Sequence, residues 1–172
     1  MNLKRKIRNI LDFPQKGIIF RDITPLLEDK KSLKYAIDQI VKKFKKEKID
    51  KVVGIDARGF ILAGILADRL GAGMVMVRKK GKLPFETESI DYDLEYGKAT
   101  LEIHKDSIKP GEKVLLVDDV LATGGTMWAT AKLVEKLKGK IQAVVFLIIL
   151  DYLSGRKKLK DYKLLSLINY KL

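Results

Sequence analysis

The run Ala143–Leu150, AVVFLIIL, contains only apolar residues. It is too short to span a bilayer, and a segment with no polar face must be covered on both sides. Two shorter segments of the same kind, Val52–Ile55 and Lys113–Val117, precede it in the chain. Between these segments, Phe60–Leu70 and Gly125–Lys138 space their apolar residues as helices do. Buried strands joined through helices imply a mainly parallel sheet, because a parallel neighbour needs a crossover and the crossover helices cover the faces. The expected fold class is therefore α/β, a mainly parallel twisted sheet flanked by helices.

The remaining segments fit around that sheet. Met74–Arg78, Thr100–His104 and Tyr162–Tyr170 read as further strands. Asn2–Leu11 and Ser32–Lys48 read as helices, the second with a Ser32 cap and with Leu33, Ile37, Ile40, Val41 and Phe44 on one face. Phe13–Leu27, with Pro14, Gly17 and Pro25 around a short extended GIIFRD, reads as a structured connection. Lys79–Tyr92 reads as a polar loop, long enough to be a lid. A length of 172 residues with 47% hydrophobic content suits a single domain, 1–172.

Composition then removes several classes of function. The chain has no cysteine, which excludes disulfides and thiolate metal sites and makes a cytoplasmic address the simplest. The formal net charge of +13 invites a nucleic-acid reading. Yet residues 1–50 hold 14 of the 35 Lys and Arg and 7 of the 22 Asp and Glu, so the excess is spread along the chain. Runs such as Lys42, Lys43, Lys45 and Lys46 suit a solvated helix face, and neither a nucleic acid nor a membrane is expected as partner.

Open parallel sheets bind ligands outside the carboxyl ends of their strands. At one such end, VLLV leads into Asp118 and Asp119, then through Val120 and Leu121 to Ala122, Thr123, Gly124, Gly125 and Thr126 before a helix begins. Glycines let the backbone turn and bring N–H groups to a phosphate, and Thr123 and Thr126 add hydroxyl donors. The helix N-terminus lends partial positive charge. The two carboxylates upstream would repel a phosphate but accept hydrogen bonds from vicinal hydroxyls, so the combination suits a ribose carrying a 5′-phosphate. No Gly-Lys-Ser/Thr follows, as a P-loop would need, and no G-x-G-x-x-G opens the first helix.

The string VDDVLATGGT resembles the substrate-binding motif of the type I phosphoribosyltransferases, and the resemblance narrows to their adenine-specific branch. It is carried by FPQKGIIFRDITPLL from Phe13, VVGIDARGF from Val52, VRKKGKLP from Val77 and DLEYGKATLEIHKDSIKPGEKVLLVDD from Asp93. The fold it implies is the Rossmann-like one of that family, with a base-recognition hood over residues 1–30 and a flexible catalytic loop over 79–96.

The resemblance also distributes roles. Asp56, Ala57 and Arg58 would meet pyrophosphate, with a non-proline cis peptide at Asp56–Ala57, although family members more often carry Glu where Asp56 stands. Lys79 and Lys82 would contact pyrophosphate too, in their own subunit or a neighbour's. Phe85 stands where a small or basic residue is expected. For the base, the resemblance points to the C=O of Ile19 and the N–H of Arg21, an acceptor beside a donor as adenine requires, with Phe20 and Leu150 as apolar walls. Glu95 would manage the proton of the attacking base, and Tyr96 would close over the site. His104, the only histidine, is expected on a wet strand face beside Glu102. No metal site from protein side chains is expected; Mg²⁺ would enter through the substrate. A homodimer is implied.

The reaction implied is transfer of the phosphoribosyl group from 5-phosphoribosyl 1-pyrophosphate to adenine. Two alternatives stay open: the same chemistry on a 6-oxo purine, or a phosphoribosyl-pyrophosphate sensor that regulates through a nucleic acid.

Overall fold

The computed structural model describes residues 1–93 and 97–171. Seven strands form one sheet in the order β5-β6-β4-β3-β7-β8-β9. Its parallel part comprises β3 (Lys51–Ile55), β4 (Gly73–Lys79), β7 (Lys113–Leu121), β8 (Lys140–Leu150) and β9 (Leu164–Tyr170). An antiparallel edge is added by β5 (Thr87–Asp93) and β6 (Lys98–His104). Helices α2 (Lys30–Phe44) and α3 (Arg58–Leu70) cover one face and α4 (Gly125–Lys136) the other.

The apolar strands serve two cores by alternation. Leu115 and Val117 of β7 point to one core and Val114 and Leu116 to the other; Val145 and Phe146 of β8 divide in the same way. Period-two geometry with both faces covered leaves no position for a polar residue, which is why these strands read as unbroken apolar runs.

Chain order reverses around β3. From β3 the chain crosses to β4 on one side, whereas β7 pairs with its other side and continues outward to β8 and β9. That reversal opens a crevice at the carboxyl ends of β3 and β7. The β7 strand also runs further than its motif implied, to Leu121, with Asp118 opposite Phe146 and Val120 opposite Ile148 of β8. Its pairing with β3 ends at Gly54–Val117, so the two aspartates rise above the neighbouring strand.

Four expectations need correction. Asn2–Leu11 is not a helix: a 3₁₀ turn, Leu3–Lys6, leads into β1 (Arg8–Leu11), which pairs antiparallel with β2 (Ile19–Asp22). The helical spacing of Leu3 and Ile7 is real, since both are buried, but pairing with a distant strand decides the rest. The second helix starts at Lys30 and is capped by Asp29, whose carboxylate accepts from Lys31 N at 2.9 Å and Ser32 N at 3.3 Å; Ser32 is buried. The loop expected over Lys79–Tyr92 shortens to a turn, because Thr87–Asp93 forms an edge strand that buries Tyr92 and half-buries Ile90. Finally, the Glu102 face of β6 is covered. Glu102 is buried and accepts from Gly81 N at 2.9 Å, and the Phe85 ring meets the His104 ring edge-on at 6.2 Å.

Beside the sheet, β1, β2 and α1 (Thr24–Glu28) make the hood. All of β1 is exposed, and Phe13 packs edge-on against Phe20 at 5.2 Å.

Candidate active site

Between the hood and the reversal point lies a cleft of about 460 Å³. Its floor is the end of β3 and the turn Asp56-Ala57-Arg58, one wall is Asp118 and Asp119, and the opposite wall is Ile19, Phe20 and Arg21; Leu150 closes one end. Ala122 and Thr126 reach this cleft and also line, with Thr123, Gly124 and Gly125, an adjoining pocket of about 100 Å³.

The carboxylate wall is densely built. Asp119 is buried, and its backbone N–H donates to Asp118 Oδ1 at 2.9 Å. Burial and the neighbouring Asp119 charge push the Asp118 carboxyl well above the usual carboxylate range. Arg58 Nε forms an ion pair with the buried Asp119 Oδ2 at 2.8 Å, which offsets the cost of burying that carboxylate. Gly59, the residue after Arg58, allows this approach: a Cβ there would sit 2.9 Å from Asp118 Oδ1.

The small pocket is shaped by backbone. Gly124 takes φ +83°, a left-handed conformation that suits glycine, and caps α4, whose first N–H groups have no partner within the helix. Behind the loop stands Gly155, in α5 (Gly155–Lys158), so tightly packed that a Cβ would fall 2.3 Å from Ala122 O. In front, Tyr92 Oη lies 3.3 Å from Thr126 Oγ1.

In the turn after β3 the Asp56–Ala57 peptide is cis. Asp56 is held by Arg78, whose Nε donates to Oδ2 at 2.9 Å while Nη1 donates to Lys82 O at 3.2 Å. Lys79 and Lys82 do not line the cleft; both are exposed at the start of the turn that follows β4. Glu95 and Tyr96 lie outside the described residues. Sequence reading missed Arg78, Gly59, Gly155 and Tyr92. The VRKKGKLP string contained a signal for Arg78 alone.

On the opposite wall β2 pairs with β1 along one edge only. Ile18 O accepts from Phe13 N, so that carbonyl faces the β1 side. Among the described residues no strand pairs with the other edge of β2.

This arrangement matches a known family. The phosphoribosyl transferase domain model matches residues 23–171. An adenine phosphoribosyltransferase of Trichlorobacter lovleyi is 57% identical over 98% of this chain and 99% of that protein. The chain belongs to the adenine phosphoribosyltransferase family. Solved structures agree: the enzyme of Thermoanaerobacter pseudethanolicus superposes with TM-score 0.94 at 52% identity, covering 98% of each chain. That of Saccharomyces cerevisiae, complexed with an imino-altritol bisphosphate and adenine, superposes with TM-score 0.91 at 38% identity, covering 96% of each.

Proposed function

We propose that this chain transfers the 5-phosphoribosyl group of 5-phosphoribosyl 1-pyrophosphate to adenine, forming AMP and releasing pyrophosphate. The observation that carries this reading is the cleft itself, with paired aspartates on one wall and an unpaired strand edge on the other, in a chain of this family. Asp118 and Asp119 accept the ribose hydroxyls. Ala122, Thr123, Gly124, Gly125 and Thr126 hold the 5′-phosphate through backbone N–H groups, hydroxyls and the α4 N-terminus. Asp56, Ala57 and Arg58 hold pyrophosphate, and Lys79 and Lys82 reach it from the end of β4 and the turn that follows.

On the base side, Ile19 C=O accepts from the exocyclic amine of adenine and Arg21 N–H donates to the ring nitrogen beside it. Phe20 and Leu150 flank the ring. A 6-oxo purine reverses that pattern and would leave both backbone groups unpaired, which favours adenine over the alternative substrates. Glu95 takes part in proton transfer at the base, and Tyr96 covers it.

Among the described residues no group of three or more His, Asp or Glu could hold a metal ion. Mg²⁺ would enter through the substrate's pyrophosphate and ribose hydroxyls. When bound, Mg²⁺ supplies charge neutralisation on the departing pyrophosphate. Ile61, Met74 and Met76 are exposed on α3 and β4, apolar surface that a second copy would cover in the homodimer the resemblance implies. No described helix is long and apolar enough to cross a membrane. A cysteine-free chain suits the cytoplasm.

Pyrophosphate release measured with adenine, hypoxanthine, guanine and xanthine side by side tests the reading. Adenine alone should support turnover, and absence of adenine-dependent release would reject the proposal.

A further inference from the structure

The base-reading strand belongs to the least packed part of the molecule, so something outside the hood must hold Arg21 in place. The Arg21 guanidinium carbon stands 3.9 Å from the centroid of the Tyr170 ring. Lys4, in the 3₁₀ turn, places its ammonium 4.3 Å from the same centroid. Tyr170 is itself buried and fixed: it pairs with Leu150 across the sheet, and its carbonyl accepts from Asp151 N at 2.8 Å. The same guanidinium donates from Nη1 to Asn9 Oδ1 at 2.5 Å, on the paired strand. Arg21 Nε is buried and has no hydrogen-bond partner among the described residues, so the ring face and Asn9 are what hold the guanidinium.

We propose that Tyr170 is a positioning residue for base recognition: its ring holds the Arg21 guanidinium and the Lys4 ammonium, and thereby sets the N–H of Arg21 against the cleft. The inference rests on the adenine reading above. Arg21 reads the base through its backbone, leaving its side chain for this anchoring. Cation–π attraction over the buried Tyr170 ring adds to the Asn9 hydrogen bond. Without the ring, β2 spends less time in the binding-competent position, and apparent affinity falls by that fraction. Only the base should be affected, because the phosphate loop and the aspartates stand on other strands.

Steady-state kinetics of Tyr170→Leu and Tyr170→Phe test this. Tyr170→Leu should raise the KM for adenine by about fivefold to thirtyfold. The KM for phosphoribosyl pyrophosphate should stay within about twofold, and Tyr170→Phe, which keeps the ring face, should restore wild-type values. Arg21→Gln retains the backbone N–H and leaves β9 unchanged, so it carries the same expectation should Tyr170→Leu fail to fold. An unchanged adenine KM, or an equal rise in both KM values, overturns the proposal. Failure of the underlying adenine reading is separable, since it would show as no adenine turnover by the unmodified protein.

Discussion

The two walls of the cleft are built differently. The phosphate-loop wall is pressed together backbone to backbone, with Gly59 against Asp118 and Gly155 against Ala122. The hood wall is a two-stranded ribbon whose β1 is exposed throughout and whose attachments are rings and cations: Phe13 on Phe20, Arg58 above Phe20 at 5.0 Å, Arg21 on Tyr170. Backbone contacts leave no slack, whereas side-chain contacts can part and reform. The contrast suggests a division of labour, in which the sugar phosphate meets a preformed cradle and the base meets a strand that settles around it.

Substitutions can break that comparison. The largest effect is expected from Glu95→Gln. Turnover should fall about a hundredfold or more while both KM values hold within about threefold; an unchanged kcat would reject its role in proton transfer. Next comes Gly155→Ala on the rigid wall. A Cβ 2.3 Å from Ala122 O must displace the phosphate loop, costing about 1–3 kcal/mol and several degrees of Tm. The KM for phosphoribosyl pyrophosphate should climb about tenfold or more, because a 1 Å misplacement is costly in a preorganised site. Were the loop as yielding as the hood, binding would survive.

A smaller effect is expected on the hood. Phe20→Ala should raise the KM for adenine about fivefold, from loss of its aromatic contacts. Tm should shift little, because the ring is only half-buried. A large drop in Tm would show that the hood is structural after all.

The smallest and most diagnostic effect concerns pH. Burial and Asp119 raise the Asp118 carboxyl above its ordinary 3.8, so the folded protein binds more protons there than the unfolded chain does. Stability from this group is therefore greatest below that ordinary value and declines as pH rises through the raised one. Asp118→Asn should remove that slope and raise Tm slightly at neutral pH, while weakening substrate binding. A variant less stable than wild type at neutral pH would contradict the proton assignment.

The parallel core was readable because burial on both faces leaves strands such as Ala143–Leu150 unbroken. The string from Asp118 to Thr126 was readable because a phosphate loop needs its glycines and hydroxyls close together in the chain. β1 was not: its local spacing is helical at Leu3 and Ile7, and only pairing with β2 makes it a strand. β5 was hidden as well, since an edge strand buries few side chains and TESIDYD resembles a polar loop.

Local chemistry thus determined which strands are buried on both faces, the glycine-rich turn before α4 and the family resemblance, because each depends on residues near one another in sequence. Tertiary structure alone decided that Arg78 would grip Asp56, that Gly155 would back the phosphate loop and that Tyr170 would reach Arg21. Those partners stand far apart in the chain, and no spacing rule connects residues that meet only once the sheet has closed around its reversal point.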